Sequence, residues 1–413
     1  METSIHTIAS NNLLILFTIV AMTGIVCSKL SEKINIPDVV LFLIAGIFIG
    51  PSVFKFIDIS AYQIENQLIL TFGSAFILYL GGKEISLKVL KNVRITVLLL
   101  STLGVIVSTF MMKEVVGLTF EVSSMTALLS GAIIASTDPA TLVPIFNSIK
   151  IKDKVKQTVI SESAFNDATG AILTSAVLAI ILSGKFSIKE NLYSLSTMVI
   201  VGIIIGIMTE ILLLKLVNDK PYGILKDFAP IISIISVIIS YELSTKLGGS
   251  GYMSCFIVGI INGNKKNFNI WLTQKSYDAD VHVVETLGTI CRMMIFIILG
   301  SQVDLQILIK YFVPSVVSVI CLIFIVRPVS VILCTIFDKN ANWSKKEILF
   351  MMWVRETGVI PAALCGIITS MKIPGYEVIS SVVFMTILIT LIIQGSTTKY
   401  IANKLGLLEL DNE

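Results

Sequence analysis

The chain has 413 residues, of which 55% are hydrophobic and only 14% charged, with a formal net charge of +3. Soluble domains carry about 25% charged residues, so this composition excludes a water-soluble enzyme or binding module and places the chain in a bilayer. The basic residues are dispersed among loops, which argues against a nucleic-acid surface.

A spanning helix needs roughly 20 mostly apolar residues, and thirteen such segments are predicted. Their approximate limits are 11–30, 37–54, 65–82, 95–112, 123–147, 157–183, 192–214, 228–245, 250–263, 283–301, 311–336, 347–369 and 375–398. No basic stretch precedes the first, so it is expected to stay as a helix and not to be cleaved as a signal peptide. With the N-terminus outside, 21 of the 31 Lys and Arg fall in inward loops, seven in outward loops, and three (Arg292, Arg327, Arg355) inside helices. That bias follows the positive-inside rule and puts the C-terminus in the cytoplasm. A prokaryotic plasma membrane is the expected location.

The second span carries Gly46 and Gly50, and the ninth Gly259 and Gly263. GxxxG lets backbones approach closely. Three spans after each comes a helix breaker: Thr137-Asp138-Pro139, 92 residues from Gly46, and Arg355 to Pro361, with Thr357 98 residues from Gly259. Seven spans separate corresponding helices, so the halves have opposite orientation. Inverted repeats with interrupted helices at matching places mark a transporter site near the midplane. The repeats are expected over approximately 37–184 and 247–403 of a single membrane unit, with no soluble regulatory domain.

Charge inside these spans carries the chemistry. A bare charge there costs roughly 2.5–3.5 kcal/mol on insertion scales, so each is a functional candidate. Pro139 removes a backbone donor and pushes Asp138 from helical geometry, and Pro144 follows. Thr137 offers a hydroxyl and a carbonyl, hard oxygen ligands suited to Na⁺, Li⁺ or K⁺. In the sixth span Ser163 and Asp167 are four apart and share a face, as do Glu162 and Asn166 on the next stripe. Ser163 and Asp167 are expected to point at one ion. A desolvated carboxylate can hold a proton or a cation in turn, which is all that exchange requires. Arg355 is expected to pair with Glu162 and tie the two repeats together.

The other intramembrane charges receive structural readings. Arg327, before Pro328, is expected to snorkel, and Arg292 has no evident partner. Glu210 is assigned to Lys215 and Glu242 to Lys246 as interfacial pairs. His6 and His282 read as polar loop residues, and the six scattered cysteines as small core residues without a disulfide framework or zinc site.

Thr137-Asp138-Pro139 together with Glu162-Ser163-x-x-Asn166-Asp167 resembles the NhaP-type sodium/proton exchangers of the monovalent cation:proton antiporter-1 family, over essentially the whole chain. The Arg355 segment and the Arg327-Pro328 pair look similar too. The resemblance implies an all-α homodimer, each protomer having interleaved dimerisation helices and a six-helix core that moves like an elevator. It implies Asp167 as the carboxylate binding cation or proton, with Asp138, Thr137 and Ser163 completing the site. Asn166 takes the place of a second aspartate found in electrogenic relatives, and Glu162 pairs with Arg355. One departure stands out: Leu80 precedes Gly81-Gly82, where an archaeal branch often carries glutamate, and this weakens any inference of sodium over potassium. The expected function is electroneutral one-for-one Na⁺(Li⁺)/H⁺ antiport, with K⁺/H⁺ antiport as the alternative. No enzyme activity or cofactor is expected. An intramembrane aspartyl protease lacks its Gly-x-Gly-Asp signature here, and a channel lacks its filter or charge ring.

Overall fold

The computed structural model describes residues 2–34, 37–58, 62–138, 142, 146, 149, 151–184, 188–219 and 223–408. Nearly everything in it is helix, as a bilayer demands of backbone groups that have no water to bond. Among the described residues nine helices are long and apolar enough to cross a membrane, and four shorter apolar helices accompany them. Together they occupy the thirteen predicted spans.

In chain order, the first half comprises α1 (Glu2–Ile34), α2 (Asp38–Ile49), α3 (Gln63–Lys83), α4 (Leu87–Leu99), α5 (Val105–Phe120), α6 (Ser124–Ile134) and α7 (Asp153–Ser183). After α8 (Ile188–Val217) and α9 (Ala229–Lys246) come α10 (Gly251–Gly263), α11 (Gln274–Ser301), the short α12 (Leu305–Lys310), α13 (Phe312–Cys321) and α14 (Arg327–Ile336). The chain closes with α15 (Lys345–Trp353), α16 (Val359–Ser370), α17 (Tyr376–Ile389) and α18 (Ser396–Lys404). Leu14, Phe110, Ile200 and Phe324 point out of the bundle, as lipid-facing side chains should.

Three helices are continuous only through a π turn. Leu100–Gly104 joins α4 to α5, Leu322–Val326 joins α13 to α14, and Thr390–Gly395 joins α17 to α18. Pro328 lies two residues after the second, so the wider turn absorbs its missing N–H. The first two π turns lie in the fourth and eleventh predicted spans, partners under the proposed repeat.

Glycine crossings show the same reciprocity. A Cβ on Gly46 of α2 would strike the Ile297 carbonyl and Gly300 of α11, and one on Gly300 would strike the Leu43 carbonyl. A Cβ on Gly259 of α10 would strike the Tyr79 carbonyl of α3, and one on Gly82 the Phe256 carbonyl. The second span thus locks to the tenth as the ninth locks to the third. α7 meets this glycine-locked group differently, through Phe165 set edge-on to Phe256 with ring centroids 4.7 Å apart.

Candidate ion-binding site

Two helices break and cross at the centre of the bundle. α6 ends at Ile134 and Ser136–Asp138 run without helical structure; α15 ends at Trp353 and Val354–Gly358 do the same before α16. Pro139 and Pro144 fall outside the described residues. The breaks are stitched by main chain: the Asp138 N–H donates to the Glu356 carbonyl at 2.8 Å. The Thr357 N–H donates to Thr390 Oγ1 at 3.1 Å, where the π turn brings that hydroxyl inward. The Asp138 carboxylate lies against Gly358, where any Cβ would collide with it. It therefore faces the start of α16, the positive end of that helix.

α7 supplies the other wall. Ser163, Asn166 and Asp167 are all buried. Asn166 Oδ1 accepts from the Thr137 N–H at 3.0 Å, and its Nδ2 donates to Thr137 Oγ1 at 3.0 Å. Thr137 Oγ1 is also 2.7 Å from Ser163 Oγ. Ser163 and Asn166 therefore act together on Thr137 and hold the broken strand to α7, in place of the predicted division into Ser163–Asp167 and Glu162–Asn166 stripes. Asp167 is left over. It is 1% exposed, and its Oδ1 accepts no hydrogen bond from the described residues. Ser136 Oγ and Thr357 Oγ1 are likewise buried, with no hydrogen bond of normal geometry to the described residues. Gly170, one turn beyond Asp167, gives Ser136 its room, since a Cβ there would come within 3.0 Å of Ser136 Cβ. Buried polar oxygens are normally bonded, and these lie together beside the crossing with none of the described residues bonded to them.

The arginines are arranged otherwise than the sequence suggested. Glu162 pairs with Arg327, not with Arg355: both Arg327 terminal nitrogens donate to the carboxylate, Nη2 to Oε2 at 3.0 Å. Arg327 also donates through Nε to the Met351 carbonyl at 2.9 Å and through Nη2 to that of Val354 at 3.2 Å. Arg355 instead donates from Nη2 to the carbonyl of Ile134 at 2.6 Å. Each guanidinium serves the C-terminal end of a half-helix, where carbonyls are orphaned and the dipole is negative: Arg327 at α15, Arg355 at α6. Arg355 is engaged there, and Arg327, which follows the π turn, reaches Glu162. Arg327 is 3% exposed, so it does not snorkel.

Against this geometry, the family model described as "Sodium/hydrogen exchanger, transmembrane" matches residues 16–404. The chain belongs to the sodium/hydrogen exchanger family. It is 31% identical over 411 residues to Na(+)/H(+) antiporter 1 of Methanocaldococcus jannaschii, covering 92% of this chain and 93% of that protein. It is 26% identical over 393 residues to the K(+)/H(+) antiporter NhaP2 of Shewanella oneidensis, covering 94% of this chain and 66% of that one. The solved structure of the sodium proton antiporter MjNhaP1 from Methanocaldococcus jannaschii at pH 8 superposes with a TM-score of 0.83 at 26% identity, over 95% of this chain and 99% of that one. This exchanger is therefore a multi-pass membrane cation/proton antiporter and not an enzyme, and its fold is the expected inverted-repeat helical bundle with two crossing broken helices.

Several charges were misread from sequence or passed over. Glu356 is fully buried at the crossing; its Oε1 accepts from Thr398 at 3.2 Å, and its Oε2 has no partner among the described residues. Its place beside Arg355 in an apolar span was the available signal. Glu210 does not use Lys215: it is buried and accepts from Asn262 Nδ2 at 2.8 Å. Arg292 has a partner in Asp38, at 3.4 Å. Glu242 and Lys246 do lie together, 3.6 Å apart on an exposed turn. Leu80 packs its Cδ1 over Gly288. The cysteines are all free and mostly buried.

Proposed function

We propose that this exchanger trades one monovalent cation, Na⁺ or Li⁺, for one proton, the two competing for Asp167. The observation that carries the reading is the Asp167 Oδ1, a buried carboxylate oxygen beside a helix crossing that has no hydrogen bond among the described residues. Glu162 is committed to Arg327, and Asn166 carries no charge. Asp138, Thr137 and Ser163 supply the remaining oxygens, while Asn166 orients Thr137. A desolvated carboxylate flanked by hydroxyls serves a proton and a hard alkali cation alike, and occupancy by one excludes the other.

The same reading makes the protein a homodimer with its N-terminus outside and C-terminus inside. α1 and α8 are its least covered long helices, 22% and 28% buried over their most apolar windows, and they suit a partner protomer or lipid. The core around α7 and the crossing would carry the ion by an elevator motion past the remaining helices.

K⁺/H⁺ exchange is the second reading, favoured by the NhaP2 relatives named as K(+)/H(+) antiporters and by Leu80 in place of an acid. Proteoliposome flux under an imposed pH gradient, comparing Na⁺, Li⁺ and K⁺, separates the two. Dequenching by K⁺ alone would replace the sodium reading.

A further inference from the structure

Away from the crossing, α3, α10 and α11 enclose a cavity of about 720 Å³. Its charged lining is Lys83, Lys265, Lys266 and Arg292 against Glu84 and Glu285, a basic excess. Lys83 is bound to Asp280 at 2.9 Å, and Arg292 faces Asp38. Lys265 and Lys266 make no ion pair with a carboxylate of the described residues. Lys266 lies over the Trp271 ring and is exposed. Lys265 is only 7% exposed, its Nζ donating to Asn262 Oδ1 at 3.2 Å and sitting 5.3 Å from the Tyr277 ring centroid.

A buried ammonium is normally paired. Burial, with the positive charge of Lys83 nearby, pushes the Lys265 amine down to about 8, the response of a cation short of counter-charge. Among the groups around it, Asp280 is already shared between Lys83 and Ser233 Oγ, the latter at 2.7 Å, and Glu210 is reached only through Asn262. The aromatic rings of Trp271 and Tyr277 beside the lysines are those expected at a membrane–water interface, and basic pockets between spanning helices on the cytoplasmic side suit anionic headgroups.

We propose that this cavity is an anion site of the phosphate class, with Lys265 and Lys266 as its principal ligands and an anionic phospholipid headgroup as its occupant. The choice of leaflet rests on the inward assignment of this face; the site does not depend on Asp167.

The test uses the full-length protein purified in a neutral detergent, with three added probes: phosphatidylglycerol, phosphatidylcholine and inorganic phosphate. Thermal stability and lipid retention by native mass spectrometry are read for the wild type, Lys265→Gln, Lys266→Gln, Lys265→Arg, and Lys310→Gln as a remote control. Phosphatidylglycerol should stabilise and be retained, and phosphatidylcholine should not. Each glutamine substitution should weaken retention about fivefold, the equivalent of about 1 kcal/mol per basic residue at an anionic surface; Lys265→Arg and Lys310→Gln should retain it. A full response to inorganic phosphate alone supports the anion site and makes its source soluble. Equal retention of the two lipids by wild type with no phosphate response, or undiminished retention in both glutamine variants, overturns the proposal. Asp167→Asn should keep the lipid response, so failure of the exchange mechanism and failure of this site give different results.

Discussion

Arg327 grips both carboxylate oxygens of Glu162 while its remaining donors close the C-terminal end of α15. One side chain thus joins α7, α14 and α15. Removing one member of a buried pair costs roughly 3–5 kcal/mol, because it strands the other. Glu162→Gln and Arg327→Leu should each lower thermal stability in detergent by amounts of that order, and Glu162→Leu combined with Arg327→Leu should recover part of the loss. The cycle of Glu162 with Arg355 should show much weaker coupling. Additive losses for Glu162 and Arg327 would mean that the two do not act as a pair.

Asp167→Asn should abolish cation/proton exchange and leave folding intact. The amide neither releases a proton near neutral pH nor offers a full negative charge to a cation. Flux in proteoliposomes and monodispersity in detergent are measured on the same preparation. Undiminished flux from well-folded protein would remove Asp167 from the centre of the mechanism.

Gly358→Ala should impair transport without removing any charged group. A Cβ at this position collides with the Asp138 carboxylate, so either that carboxylate or the start of α16 must move. A displacement of about 1 Å at a reacting centre can cost on the order of a hundredfold in rate, and a loss of at least tenfold in initial flux is expected, with stability changed little. The neighbouring Val359→Ala serves as the comparison.

Transport should be indifferent to membrane potential. One carboxylate trading one proton for one monovalent cation moves no net charge, whereas each uncompensated charge would couple at about 2.3 kcal/mol per 100 mV. Proteoliposomes clamped with K⁺ and valinomycin, with an ammonium-jump pH readout, check this for Na⁺ exchange. A rate that follows the imposed voltage would mean that a further carboxylate titrates with the ion, and Asp138 and Glu356 are the candidates at the crossing.

Lys265 should leave a mark on stability at alkaline pH. Its amine falls from 10.5 to about 8 on folding, so between those values the unfolded chain binds more protons. Stability from this group therefore rises with pH from about 8 to about 10.5, and below 8 its charged form is a penalty on the order of 3 kcal/mol. Lys83 and Lys266 add to that penalty and Asp280 and Glu210 relieve it. Thermal unfolding followed from about pH 7 to about pH 10 in lipid-free detergent should show Lys265→Met more stable than wild type at the acid end, with the difference closing as pH rises. A constant difference across the range would show that Lys265 does not titrate there.

The spans were legible because hydropathy and the Lys/Arg asymmetry are one-dimensional signals, and the two breaks because Pro139, Gly358 and Pro361 announce them. The Asn166-Asp167 pair was legible as a polar pair inside a span, and both residues are buried beside the crossing. What escaped was partnership. Glu210 and Lys215 are close in sequence, but five residues apart on a helix they face away from each other, and the true neighbour, Asn262, comes from a helix two spans on. From sequence, Glu162 goes to Arg355 and Arg327 to the interface, because the residue pattern does not show which guanidinium each broken helix end takes up. Glu356 escaped because Arg355 beside it goes to Glu162 in that reading, which leaves the adjacent acid without a role.

The glycine crossings and the Phe165–Phe256 contact differ in kind. Where α2 meets α11 and α3 meets α10, bare Cα atoms sit in notches formed by carbonyls of the facing helix, so any axial shift drives backbone into backbone. Where α7 meets α10, one aromatic edge rests on another ring, and no hydrogen bond between those two side chains must break for one to glide over the other. α7 is thus joined to α10 by the packing of side chains, whereas α2 with α11 and α3 with α10 are interlocked through their backbones, so a side-chain change can loosen the first joint and only a glycine replacement the others.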